Sequence, residues 1–197
     1  LSHAGRMRME EGVRWHKRLQ QEEQAAADFL AEVDRPRFEV SLAGTILLNG
    51  WCFELLGRVD QILSNKGRKI LREVKTVSHP LPMPEEELRR IYPEYLAQLG
   101  AYQVLGALEG NGPLQTAASQ LLFVDVESGM RQIVSGGDGA RAAFDSQLQQ
   151  LWKFCEARRA GRQRLFQTEI ASPFDNPRPG QERIGEELHE ASLASKY

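Results

Sequence analysis

"GRVDQILSNKGRKILREVKT", residues 57–76, is the stretch whose reading decides the fold. Two runs rich in Val, Ile and Leu flank Asn65-Lys66-Gly67, a turn of the kind that joins antiparallel strands. Asp60 falls in the first run, and Glu73 and Lys75 fall in the second. Residues two apart in a strand project to one face, so Glu73 and Lys75 stand together and flank the Val74 carbonyl. Asp60, on the partner strand, can lie beside them. On a solvated strand face this is an ordinary cross-strand ion pair. As a site it means more, because two converging carboxylates repel each other unless a cation lies between them. Carboxylate and carbonyl oxygens suit Mg²⁺ or Mn²⁺. A lysine beside such a cation can stabilise a phosphate or orient a water, which is the equipment of metal-assisted phosphodiester hydrolysis.

Working outward, Arg37–Leu48 and Trp51–Leu63 read as strands joined by Asn49-Gly50, the strongest short-range hairpin signal. Lys69–Val77 is the third strand. Upstream, Arg6–Leu30 is rich in Glu, Gln, Arg, Ala and Leu and predicts a helix, broken by Asp34-Arg35-Pro36. Downstream, the four prolines of "SHPLPMPEEELRRIYP" predict an extended crossing loop over residues 78–91, which could arch over a bound strand. A helix over Glu94–Leu108 follows, ended by Glu109-Gly110-Asn111-Gly112. Strands over Ala117–Val126 and Met130–Val134 and a long helix over Gly139–Arg159 complete the pattern. The fold class is α/β, a central mixed sheet with helices on both sides. Residues 171–180, "ASPFDNPRPG", are a Pro-rich break, and a last short helix starts near Gln181.

The 197 residues suit one domain with an appended tail, and 41% hydrophobic content supports a sizeable core. A formal net charge of −2 gives no global basic field, although a local groove can still be basic. Cys52 and Cys155 are isolated, so neither a disulfide framework nor a cysteine metal cluster is expected, and a reducing cytoplasm fits. No apolar run is long enough for a membrane span, and no signal-peptide pattern stands at the N-terminus. The first residue is Leu1 rather than Met, from which a piece of a longer protein is expected.

Three groups recur in order: Gly57-Arg58-Val59-Asp60, then Glu73-Val74-Lys75, then Gln98-Leu99-Gly100-Ala101-Tyr102. This G-x-x-D, E-x-K, Q-x-x-x-Y series resembles the PD-(D/E)XK nuclease superfamily and, within it, the RecB-like exonuclease branch. Upstream, "EEGVRWHKRLQ" is similar to that branch's helical motif, with Gly12 followed four residues on by His16. The likeness spans residues 10–102. It implies a restriction-endonuclease-like core, with His16, Asp60, Glu73 and the Val74 carbonyl holding Mg²⁺ or Mn²⁺. It implies that Lys75 positions water or stabilises charge at phosphorus, and that Gln98 and Tyr102 orient Lys75 and the DNA. Glu39, in "RFEVSL", falls near a glutamate found in many relatives.

The residues agree with these roles. Gln98 and Tyr102 are four apart and share one helix face, as do Gly12 and His16. A mid-helix glycine costs about 1 kcal/mol relative to alanine, which makes sense if something approaches the helix closely there. Taken singly, His16 is a surface histidine and Tyr102 a core aromatic. Two departures stand out: Val59 occupies the place of the superfamily's proline, and two cysteines cannot hold the iron–sulfur cluster of many relatives. Arg89 and Arg90, just before the Gln98 helix, are candidates for phosphate contact. Arg158, Arg159, Arg162 and Arg164 read first as cations at a helix C-terminus. His79 reads as an incidental loop histidine.

The tail "SPFDNPRPGQERIGEELHEA" resembles the approach to the motor of DinG/XPD-type helicases, with Arg178, Pro179, Gly180 and Gln181 as the matching residues. No phosphate-binding G-x-x-x-x-G-K-[ST] loop occurs before Tyr197, so no nucleotide site is expected in this chain. The resemblances together imply a nuclease domain over residues 1–170 and, over 171–197, a linker and the start of a helicase motor. The expected activity is metal-dependent hydrolysis of single-stranded DNA from an end, with a covalently linked helicase as partner and no membrane involvement. A catalytically silent DNA-binding module that guides a helicase, and a structure-specific endonuclease, are the alternatives.

Overall fold

The antiparallel hairpins read from the turn signals lie side by side in a computed structural model that describes residues 3–65, 68–108, 114, 117–168 and 180–194. The elements are α1 (His3–Ala27), a 3-10 turn (Glu32–Asp34), β1 (Arg37–Leu48), β2 (Trp51–Asn65), β3 (Arg68–Val77), α2 (Glu85–Ile91), α3 (Pro93–Ala107), β4 (Ala118–Asp125), β5 (Arg131–Ser135), α4 (Gly137–Gln167) and α5 (Gln181–Ala194). The strands form one sheet in the order β1-β2-β3-β4-β5. Among the described residues only β3 and β4 run parallel, because α2 and α3 supply the crossover between them. The chain divides into two units, Leu1–Phe154 and Cys155–Tyr197, with the division falling inside α4. The sheet and its core belong to the first unit. Among the described residues, no helix is long and apolar enough to cross a membrane.

Asn49 and Gly50 link β1 to β2 with φ of 48° and 80°, the left-handed pair that a two-residue hairpin requires. On one face of the sheet Leu71, Leu121, Phe123 and Val134 meet Leu99 and Leu105 of α3. On the other, Val74, Leu122 and Val124 meet Leu19 of α1. The period-two alternation of β3 therefore divides its side chains between two cores. Leu71 and Val77 point toward α3, while Val74 points toward α1. Each of these large side chains contributes about 1.5–3 kcal/mol by leaving water.

Two features differ from the sequence reading. Half of the loop expected over residues 78–91 is the helix α2. Pro84 stands at its N-cap, Glu85, Glu86 and Glu87 lie in its first turn and Arg89 and Arg90 in its last. Acids at the N-terminus and cations at the C-terminus both complement the helix dipole. α4 extends to Gln167, beyond the expected Arg159, because Arg, Gln and Ala favour helix even where no apolar stripe continues. The expected turn at Lys66-Gly67, the Glu109-Gly110-Asn111-Gly112 stop and the break at 171–179 lie outside the described residues.

Candidate metal and nuclease site

The site forms where two paired strands part. The β2–β3 ladder runs from Asn65–Arg68 to Gln61–Arg72 and includes no pair beyond it. At the next step Asp60 substitutes a side chain for the ladder: its Oδ2 accepts the Val74 N–H at 2.8 Å. The backbone amide is thus satisfied while the strands diverge, and the carboxylate is fixed at the fork.

On the α1 side of the sheet, two further side chains approach Asp60. His16 Nδ1 lies 3.7 Å from Asp60 Oδ1. Glu39 of β1 stands opposite Asp60, between the pairs Phe38–Gln61 and Val40–Val59. One ligand atom from each of His16, Glu39 and Asp60 falls within 4.8 Å of the others. Glu39 has φ of 52°, a left-handed conformation uncommon for a residue with a side chain and typical of functional sites. Arg58 Nε, 2.7 Å from Glu39 Oε2, balances its charge on the solvent side.

On the α3 side, Glu73 is 3% exposed, and its Oε1 accepts from Lys75 Nζ at 2.9 Å and from Gln98 Nε2 at 2.8 Å. Gln98 Nε2 also donates to the Tyr102 hydroxyl at 2.7 Å, and that hydroxyl donates to the Arg58 carbonyl at 2.9 Å. The shared helix face of Gln98 and Tyr102 therefore carries one continuous network. Glu73 Oε2 is buried without a hydrogen-bond partner. Burial first, and then the Asp60 charge, push the Glu73 carboxyl up to about 7, with Lys75 opposing. Burial and the Glu73 charge push the Tyr102 hydroxyl up to about 12.

Glycine shapes this packing at one position. A Cβ on Gly57 would stand 2.8 Å from Tyr102 Cε1, so only glycine lets the ring reach the Arg58 carbonyl. Gly12 is different. A Cβ there would meet Thr76 Oγ1 at 3.4 Å, an ordinary contact, so the close approach expected beside His16 is modest.

The expected residues thus gather in two groups joined through Asp60 and Val74. Glu73 is not part of the His16–Glu39–Asp60 trio and approaches the fork from the other face. The Val74 amide is tied to Asp60. Arg89 donates to the Ser135 carbonyl and to Glu85, linking α2 to the end of β5. Arg90 is exposed and lies 3.7 Å from Glu87. His79 is exposed beside the Tyr92 ring. Arg159 pairs with Glu156 in the second unit at 2.8 Å. One neighbour was not read from the sequence: the Tyr95 ring lies under Lys75, with Nζ 4.8 Å from its centroid. Its spacing of three from Gln98 and seven from Tyr102 is the helical signal that could have found it.

A family model described as the PD-(D/E)XK nuclease superfamily matches residues 2–189. The chain belongs to the PD-(D/E)XK nuclease superfamily. That superfamily is one of metal-dependent nucleases, and the mixed sheet flanked by helices is its restriction-endonuclease-like fold. No curated protein matches the chain. The solved structure of SSO0001 is similar at 20% identity and a TM-score of 0.43, over 71% of this chain and 59% of that one.

The donor set fits a divalent cation. One imidazole and two carboxylates within 4.8 Å suit Mn²⁺ and, through their oxygens, Mg²⁺. The unpartnered Glu73 Oε2 is a buried lone-pair site that a cation or its water would satisfy.

Proposed function

We propose that this chain is a RecB-like nuclease that hydrolyses single-stranded DNA from an end with Mg²⁺ or Mn²⁺ at the β2–β3 fork. The observation that carries the reading is the state of Glu73. A buried carboxylate is held on one oxygen by Lys75 and Gln98, unpartnered on the other, and raised first by burial and then by the nearby Asp60 charge. Buried polar atoms are rarely left unpaired, and an ion is one of the partners that satisfies such an oxygen.

His16, Asp60 and Glu73 with the Val74 carbonyl are the proposed metal-binding set, joined by Glu39. A divalent cation bound there supplies Lewis-acid catalysis of in-line attack at phosphorus. Lys75 presents a fixed ammonium to the charge that builds on the phosphate. Gln98 holds Glu73 in place, and Tyr102 anchors Gln98 to β2 through the Arg58 carbonyl. The helical histidine beside Asp60 supports the RecB-like branch, where such a histidine recurs.

The proposed context is a helicase-nuclease active in DNA repair or processing, with residues 1–170 as the nuclease domain and 171–197 leading toward a motor. The resemblance of Arg178-Pro179-Gly180-Gln181 to the DinG/XPD approach supports this, as does the helix α5 that begins at Gln181. A P-loop encoded within about thirty codons after Tyr197 in the parent gene is the expected result, and its absence refutes the helicase link.

End-labelled linear and sealed circular single-stranded DNA test the mode of cutting. Shortening of the linear strand alone is expected. Cutting of the circle makes the enzyme an endonuclease, and binding without cleavage makes it a silent guide module.

A further inference from the structure

We infer that Tyr95 is a positioning residue for Lys75, a role that rests on the nuclease reading above. Lysine is a flexible four-carbon stem with a point charge, and one hydrogen bond does not fix where that charge sits. Here Nζ has two restraints. Glu73 Oε1 takes one of its protons at 2.9 Å, and the Tyr95 ring face lies beneath it at 4.8 Å from the centroid. The Lys75 side chain keeps 20% exposure.

The ring itself is held firmly. Tyr95 stacks on Tyr92 with centroids 5.1 Å apart and planes 7° from parallel. Both rings lean on Phe123, which is 1% exposed in the core, at 5.6 Å for Tyr92 and 6.3 Å for Tyr95. Pro93 starts α3 directly after Tyr92, so the helix start fixes the two tyrosines relative to each other. Tyr95 also sits one turn before Gln98, which holds the same Glu73 oxygen that Lys75 holds. One face of α3 thus sets both the carboxylate and the ammonium of the E-x-K motif. A ring quadrupole attracts a cation without taking its proton, so Tyr95 restrains the ammonium while leaving its donors free for a phosphate.

The test uses the whole chain and the variants Tyr95→Phe, Tyr95→Leu and Tyr95→Met, the last in case Leu fails to fold, with thermal unfolding confirming each fold. Steady-state cleavage of linear single-stranded DNA with Mn²⁺ gives kcat and KM. The ring-current shift of the Lys75 ε-methylene protons gives the geometry without turnover. Tyr95→Phe is expected to keep both. Tyr95→Leu and Tyr95→Met are expected to lose the upfield shift and lower kcat about tenfold, with KM changed less than about twofold. Loss of the shift with kcat unchanged overturns the inference, as does a rise in KM alone, which would make Tyr95 a DNA contact. Cleavage by Tyr95→Leu at the wild-type kcat refutes only this role. Absence of cleavage by wild type refutes the nuclease reading and this one with it.

Discussion

Replacing Glu73 by Gln should make the metal-free protein more stable at pH 8 and remove its catalysis. The carboxyl is raised from the ordinary 4.5 to about 7, chiefly by burial and then by the Asp60 charge. Its folded-state pKa thus exceeds the unfolded value. At a pH below about 4.5 both states hold the proton and the group is neutral to stability. Between 4.5 and 7 the unfolded chain releases its proton more readily, so stability falls as pH rises, and above 7 the penalty is complete. That rise corresponds to at most roughly 3 kcal/mol at about 1.36 kcal/mol per pH unit. The assay is urea unfolding in EDTA at pH 5 and pH 8 for wild type and Glu73→Gln. The variant's advantage should be about 2 kcal/mol larger at pH 8 than at pH 5. Adding Mn²⁺ should then stabilise wild type far more than the variant. An advantage equal at both pH values, or a variant that Mn²⁺ stabilises as well as wild type, would refute the reasoning.

Three further outcomes follow from the same geometry. Lys75→Ala should lower kcat at least about 100-fold while DNA binding, measured by fluorescence anisotropy in EDTA, changes little. His16→Ala and Glu39→Ala should each weaken Mn²⁺ binding in calorimetric titration by at least the about tenfold that loss of an outer-shell partner costs. Gly57→Ala places a methyl group against the Tyr102 ring, so it should cost about 1–3 kcal/mol in unfolding and reduce activity, whereas Gly12→Ala should be tolerated.

Much of the sheet was legible because its signals are local. Asn49-Gly50 needs no tertiary context to specify a hairpin, and β1 begins and ends where its apolar run does. The pairing of Glu73 with Lys75 was legible for a related reason, since strand periodicity alone places both on one face. α2 was not, because three closely spaced prolines mask a helix of seven residues that is specified by charge at its ends. The left-handed φ of Glu39, at the position opposite Asp60 in the sheet, is not signalled by the residues around it in the sequence. Tyr95 escaped notice because its partner lies on β3, twenty residues earlier, and only the crossover through α2 and α3 brings ring and ammonium together. The fork itself is a tertiary fact: the ladder stops at Gln61–Arg72 and Asp60 bonds the Val74 amide instead.

The most direct test of the account is cleavage of end-labelled single-stranded DNA by wild type and Lys75→Ala, each with Mn²⁺, Mg²⁺ or EDTA. Cleavage by wild type that requires the metal and vanishes in the variant is the predicted result. Cleavage that persists in EDTA, or in Lys75→Ala at the wild-type rate, would contradict a metal-dependent nuclease centred on the β2–β3 fork.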